Sequence, residues 1–375
     1  MRGAFYILVF CVGSLLMMGL VMLYSASMAE DGAGLLVSQL KWGGLGLVAC
    51  LLLASVDYQT LKRFHIPSIL FGVAALALIL VLTNQFGKTI NGSRRWFIIG
   101  GQPSEFAKVA LIVFLAWYGE RNLRRMDNFW RGLAIPGACI GVLVALVFLE
   151  PDWGTAMLLA ALGGAMLLLA GVRWLHVIPP ILAALVVLSF MLWENPVRRE
   201  RVMAFLHPEE YKEGVGFQTY QAKLALGAGG MTGKGLGNGR QKLGFVPEHH
   251  TDFILSVIGE ELGVIATLFV VGCFAAIVLC GAAIARGAPD DFGRLLAAGV
   301  TFLFGLQAFI NIGVVTGSLP NKGISLPFIS YGGSNLIAMM ISVGILFSVA
   351  RRAAAVSPAE RKLTNSDNIF AAEAA

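Results

Sequence analysis

From Val264 to Ala285 no side chain carries a charge. A stretch of that kind has the ~20 residues that a helix needs to cross a ~30 Å hydrocarbon core. The feature recurs along the chain. Apolar windows near 4–24, 40–56, 66–82, 104–118, 132–149, 154–171, 174–193, 253–285, 294–315 and 334–350 predict about ten such helices. The implied fold class is an all-α polytopic membrane protein, because in hydrocarbon every backbone polar group must be paired inside its own segment. An outer-membrane barrel would alternate apolar and polar residues over ~10-residue segments, and these runs are continuous. With 13% charged residues, the chain also falls far below the ~25% of soluble domains. A water-soluble enzyme, a disordered regulator and a disulfide-stapled secreted module are therefore excluded.

Lysine and arginine in short loops set the orientation. Arg2, Lys62, Arg63, Arg121, Arg124, Arg125, Arg131, Arg173, Arg286, Arg294, Arg351, Arg352, Arg361 and Lys362 fall on one side, against Lys41, Lys88, Arg94, Arg95 and Lys322 in short loops on the other. Both termini are thus expected in the cytoplasm, with a large extracytoplasmic loop, 194–252, between the seventh and eighth spans. The expected organisation is one transmembrane domain over 1–352 and a polar cytoplasmic tail over 353–375. The stretch Phe5–Tyr24 reads as a retained span, having one preceding arginine and no small-residue cleavage site. The net charge of +6 follows from topology, and no basic face with interleaved aromatics points to nucleic acid. All five cysteines sit in apolar runs, and no Cys/His spacing suggests a metal site. Arg94, Arg95 and Lys322 run against the topological preference, which either an anionic ligand at the outer face or anionic headgroups would explain.

Five segments carry chemistry. The loop ending GAGGMTGKGLGNGRQKLGFVPEHHTDF holds Gly233-Lys234, yet Ala228 and Gly235 stand where a phosphate loop needs glycine and Ser/Thr. Its glycines suit tight folding over a membrane-facing groove. Thr251 or Asp252 suits the N-cap of the following helix, the reading the position by itself favours for Asp252, and the functional alternative is a general base at a cavity rim. Glu105 and Lys108, three apart on a helix expected to start near Pro103, share a face and can pair. Glu150-Pro151-Asp152 forms a tight turn. Glu260 and Glu261 lie two turns into the eighth span, where a cavity or partner helix is expected. Finally, the Gly/Pro-rich stretches 316–323 and 326–334 form an irregular outer hairpin, tolerated at membrane depth only when buried in protein or lining a wet cavity.

Taken in order, SRRW…QPSEFAK, PDWGT, GKGLGN…PEHHTDF…GEELG and LPFISYGGS resemble the shape, elongation, division and sporulation (SEDS) family, over essentially the whole chain. QKLGFVPEHHTDF and LPNKG are similar to its division branch. The resemblance implies a peptidoglycan glycosyltransferase that polymerises lipid II and releases undecaprenyl pyrophosphate in septal wall synthesis. An elongation-type polymerase and a lipid II flippase are the alternative functions, and a non-catalytic division scaffold a third. It implies Asp252 as general base with Glu105 and Lys108 as a functional ion pair. It places Arg94, Arg95, Lys322, Glu248, His250, Ser330 and Gly332 toward substrate and pyrophosphate. No cofactor is required, although a divalent cation, magnesium or manganese, is compatible. The expected partners are a class B penicillin-binding protein, the FtsI-like division transpeptidase, and other divisome membrane proteins, at the septum of the bacterial inner membrane. Glu150 departs from the family's usual glutamine before Pro-Asp.

Overall fold

A computed structural model describes residues 2–27, 32, 34–90, 93–98, 100–194, 196–240 and 250–355. Helices α1 (Arg2–Ser27), α2 (Gly34–Ser55), α3 (Ile66–Leu82), α4 (Pro103–Asn122), α5 (Ile135–Leu149), α6 (Trp153–Leu169) and α7 (Trp174–Glu194) are followed by two helices of the long loop, α8 (Pro196–Leu206) and α9 (Phe217–Gly229). The chain then returns through α10 (Ile254–Gly287), α11 (Asp291–Val315) and α12 (Gly333–Ala355). Each of the ten expected windows overlaps one helix, and seven helical stretches are long and apolar enough to cross a membrane. The chain is a multi-pass membrane protein.

Three features lay outside the expectation. The loop 194–252 is partly helical, a two-stranded antiparallel hairpin (β1 Gly87–Ile90, β2 Ser93–Phe97) lies between α3 and α4, and α12 continues past Arg352 to Ala355. The polar tail beyond it, 356–375, lies outside the described residues.

The core forms around α4, which packs against α3, α5, α6, α11 and α12. Ala107 through Ala116 are all buried, so this stretch of the helix faces protein on every side. That is why it can hold charge: α4 is flanked by helices, and its ends carry Glu105, Lys108, Glu120 and Arg121. Without a hydrophobic drive between helices in lipid, close approach of small residues does the packing. At Gly281 of α10, an added Cβ would lie 2.1 Å from Thr301 Oγ1 of α11. The α10–α11 hairpin therefore requires that glycine. In contrast, α7 is mostly exposed and touches chiefly α8 and the π-helical turn Phe129–Ala134.

Candidate active site at the outer ends of the helices

The site grows from α4. Gln102 is its N-cap residue and Pro103 occupies the first turn, where a missing N–H costs nothing. Glu105 in that turn faces the positive helix end. One turn on, Lys108 Nζ lies 2.7 Å from Glu105 Oε2, as the i,i+3 spacing required. The lysine side chain is only 2% exposed. Its ammonium also donates to Gln307 Oε1 at 3.3 Å. Gln307 Nε2 in turn donates to the Ser325 carbonyl at 3.0 Å and to Asn335 Oδ1 at 3.2 Å.

One turn further along α11, Asn311 Nδ2 donates at 2.7 Å to two carbonyls, those of Asp252 and Ile324. Among the described residues its buried Oδ1 accepts no hydrogen bond. The Asp252 carboxylate lies against Gly323: a Cβ there would be 2.7 Å from Asp252 Oδ2. Asp252 is not the N-cap residue of the following helix. The N-cap of α10 is Phe253, with no side-chain cap bond, and the helix begins at Ile254. Asn311 instead ties the Asp252 carbonyl to the 323–325 segment, one residue before the cap position.

A third group closes on the same segment. Asp152 caps α6, accepting from Thr155 N at 3.1 Å and Thr155 Oγ1 at 3.0 Å. It also pairs with Arg95 Nη1 at 3.2 Å and accepts from Gln102 Nε2 at 3.3 Å. Two residues on, a Cβ added at Gly154 would lie 3.4 Å from Ile324 and 3.7 Å from the Gly323 carbonyl, so α6 begins directly beside that segment. Gly323-Ile324-Ser325 is thus the place where the Asp252 turn, the Lys108 relay and the Arg95–Asp152 pair meet.

Beside them, Glu150 is fully buried and neither carboxyl oxygen has a hydrogen-bond partner among the described residues. Desolvation, reinforced by Asp152 and opposed by Arg95, pushes it up to about 9. It is therefore protonated at neutral pH.

The remaining expected residues are placed as follows. Lys322 is half-buried and precedes Gly323 directly. Arg94 is engaged by the Leu82 carbonyl at 3.2 Å, by Asn84 and by Thr89 Oγ1 at 3.3 Å, and so ties the hairpin to α3. Ser330 Oγ accepts from Leu326 N at 2.8 Å, and the Ser330 carbonyl and Gly332 N–H are held by Gln39 of α2. These two residues shape the 326–332 turn. The His250 carbonyl accepts from Tyr331 N at 3.0 Å, which fastens the Asp252 turn to it. Glu248 lies outside the described residues.

Glu260 and Glu261 meet neither a cavity nor only a neighbouring span. The glycine loop wraps them. Glu260 Oε1 accepts from Lys234 Nζ at 2.9 Å and from Arg240 N at 3.0 Å. Glu261 accepts from Gly237 N at 3.1 Å, Gly239 N at 3.3 Å and Ser25 Oγ at 2.6 Å. Amides that would cradle a phosphate instead satisfy the protein's own carboxylates. Gly263, with φ 78°, breaks α10 at this point, and a Cβ there would strike Gly233 N at 2.4 Å. No group of three or more His, Cys, Asp or Glu side chains converges as a metal site among the described residues.

Gln307 and Asn311 carried no motif. Their signal was two amides four residues apart, on one face of an otherwise apolar helix.

Comparison with known proteins places this geometry. The FtsW/RodA/SpoVE profile, described as cell cycle protein, matches residues 6–355. The chain belongs to the FtsW/RodA/SpoVE family. Among members of this family, it is 40% identical over 353 residues to the probable peptidoglycan glycosyltransferase FtsW of Trichlorobacter lovleyi, covering 92% of each chain. It is 37% identical to stage V sporulation protein E of Bacillus subtilis, over 90% of this chain and 94% of that one. In solved structures, a chain from a study of how a peptidoglycan synthase complex coordinates polymerization and crosslinking superposes with TM-score 0.78. That chain is 30% identical, with 92% of this chain and 97% of that one covered. The rod shape determining protein RodA of Thermus thermophilus gives 0.68 at 29% identity, over 92% and 95%.

Proposed function

We propose that this FtsW/RodA/SpoVE-family protein is a peptidoglycan glycosyltransferase that polymerises lipid II during septal wall synthesis. The observation that carries the reading is the meeting of Asp252, the Glu105–Lys108–Gln307 relay and Arg95 on the Gly323–Ser325 segment. The relatives named as probable glycosyltransferases support it, and their FtsW name favours the division role.

In this reading the sugar 4-hydroxyl of the acceptor lies beside Asp252. The carboxylate takes the hydroxyl proton as the oxygen bonds to the donor's anomeric carbon, and a base within hydrogen-bond reach is what such a nucleophile requires. The bond from that carbon to the diphosphate breaks, and undecaprenyl pyrophosphate leaves with the electron pair. Cationic side chains near the departing diphosphate stabilise the charge that develops there. Arg95 and Lys322 fill that role. Lys108, engaged by Glu105 and Gln307, is a positioning residue: it orients Gln307, whose Nε2 holds the Ser325 carbonyl and so the wall of the Asp252 turn. The open acceptor of Asn311 suits a sugar hydroxyl. A divalent cation chelated by the diphosphate would share the charge without a protein cage. A class B penicillin-binding protein supplies crosslinking, and its arrangement in a synthase complex is supported by the structural relative.

The test is conversion of lipid II by the purified chain with its transpeptidase, scored as glycan strands on a gel. Strands formed by wild type and absent with Asp252→Ala support the assignment. Headgroup transfer across liposomes without strands would replace it with a flippase, and normal strand synthesis by Asp252→Ala would remove the base.

A further inference from the structure

Away from this site, on the arginine-rich side of the bundle, α6, α10 and α11 enclose a groove of about 610 Å³ that opens toward lipid. Leu169, Val278, Phe302, Leu306 and Phe309 wall it, over a floor kept low by Ala282 and Gly305. The hydroxyl of Thr301, its one uncharged polar side chain, donates to the Ala297 carbonyl at 2.7 Å and is not available to a ligand as a donor. The groove therefore accepts hydrocarbon along its length. Its mouth is different: Arg286 and Arg294 stand there, both exposed.

The other charges at that end are accounted for. Asp291 holds Arg294 at 2.8 Å. Asp290 faces Tyr58, Gln59 and the Gly293 N–H instead. Arg286 bonds only the Ala282 carbonyl, at 3.3 Å, and has no carboxylate partner among the described residues. The groove lining itself thus carries two arginines and no carboxylate, since Asp290 is turned toward Tyr58 and Gln59, and Arg286 is the freer of the two charges.

We propose that this groove is a binding site for one anionic phospholipid of the arginine-rich leaflet, its phosphate at Arg286 and Arg294 and one acyl chain laid along α11. Dimensions fit. The rise from Arg294 to Phe309 is about 22 Å at ~1.5 Å per residue, more than the ~15 Å depth of one leaflet, half of a ~30 Å core. Charge fits as well, since the cytoplasmic leaflet is the anionic one and basic residues near it bind such lipids. A lone surface arginine would attract headgroups without retaining them. A groove that also takes the chain converts that attraction into a site.

The experiment uses the full chain in detergent, with retained lipid counted by native mass spectrometry. The probes are phosphatidylglycerol and phosphatidylcholine of identical acyl composition. Wild type is expected to retain phosphatidylglycerol about fivefold or more over phosphatidylcholine, from ~1 kcal/mol for each basic residue near the surface. Arg286→Gln should remove most of that preference, Arg294→Gln less because Asp291 already occupies it, and the double variant all of it. Ala282→Leu, which fills the floor, should lower retention of both lipids at unchanged ratio. Both arginines are exposed, so an unchanged melting temperature is expected in these variants. Equal retention of the two lipids by wild type would overturn the proposal, as would preference surviving in the double variant. Unchanged retention in Ala282→Leu would reduce it to headgroup adsorption and overturn the groove. Displacement of phosphatidylglycerol by millimolar inorganic phosphate, or preferentially by undecaprenyl phosphate, would overturn the occupant.

Discussion

Replacing Gly323 with alanine tests the geometry of the Asp252 turn without touching the aspartate. An alanine Cβ would stand 2.7 Å from Asp252 Oδ2, whereas ordinary contact begins at 3.4 Å, so the carboxylate must retreat by about 0.7 Å. Gly323 is exposed and not at positive φ, so alanine fits its backbone, and an exposed substitution of this kind changes stability within about 0.5 kcal/mol. Misplacement of a reacting group by ~1 Å costs about 100-fold in rate. Gly323→Ala is therefore expected to lower the rate of strand synthesis about 10- to 100-fold, with lipid II binding and melting temperature near wild type. The assay is strand formation at saturating lipid II, with thermal unfolding in detergent as control. Full activity in a folded Gly323→Ala protein would refute the view that the carboxylate works from its place against Gly323.

Other outcomes follow from the same contacts. Lys108→Met leaves the Glu105 carboxylate buried without its cation and should cost about 3–5 kcal/mol, whereas Glu105→Gln combined with Lys108→Met should recover most of the loss; thermal unfolding of the three proteins checks this. Asn311→Leu strips the Asp252 and Ile324 carbonyls of their 2.7 Å donors and should destabilise by about 1–3 kcal/mol per carbonyl, again read by unfolding. Glu150 has a folded value raised from 4.5 to about 9, so the folded chain binds the extra proton and stability falls as pH rises across that window. Glu150→Gln removes this dependence: its melting temperature should match wild type near pH 4 and exceed it increasingly toward pH 9. A constant offset across pH would show that Glu150 ionises normally.

Hydropathy located the helices because lipid leaves the backbone no alternative to intrahelical pairing, and that constraint acts residue by residue along the chain. The Glu105–Lys108 pair was legible for the same local reason, three residues on one helix face. What could not be read was tertiary. Asp252 looked like a cap because its sequence position suits one, whereas Asn311, 59 residues downstream, ties its carbonyl to the Ile324 segment. The acidic pair Glu260/Glu261 demanded partners, but nothing local indicated that they would be backbone amides of a glycine loop some twenty residues earlier. In Gln307 and Asn311, averaging over an apolar window hid the two amides that join the site's halves. Arg94 and Arg95 are adjacent in sequence yet do different work, because alternate residues of a strand face opposite ways: one braces the hairpin and the other reaches Asp152.

Replacing Asp252 with asparagine is the most direct measurement, since it keeps shape and removes only the capacity to take a proton. In a single-turnover reaction with bound lipid II, the account predicts unchanged binding and strand formation at background. Strands produced by a folded Asp252→Asn protein at the wild-type rate would contradict it.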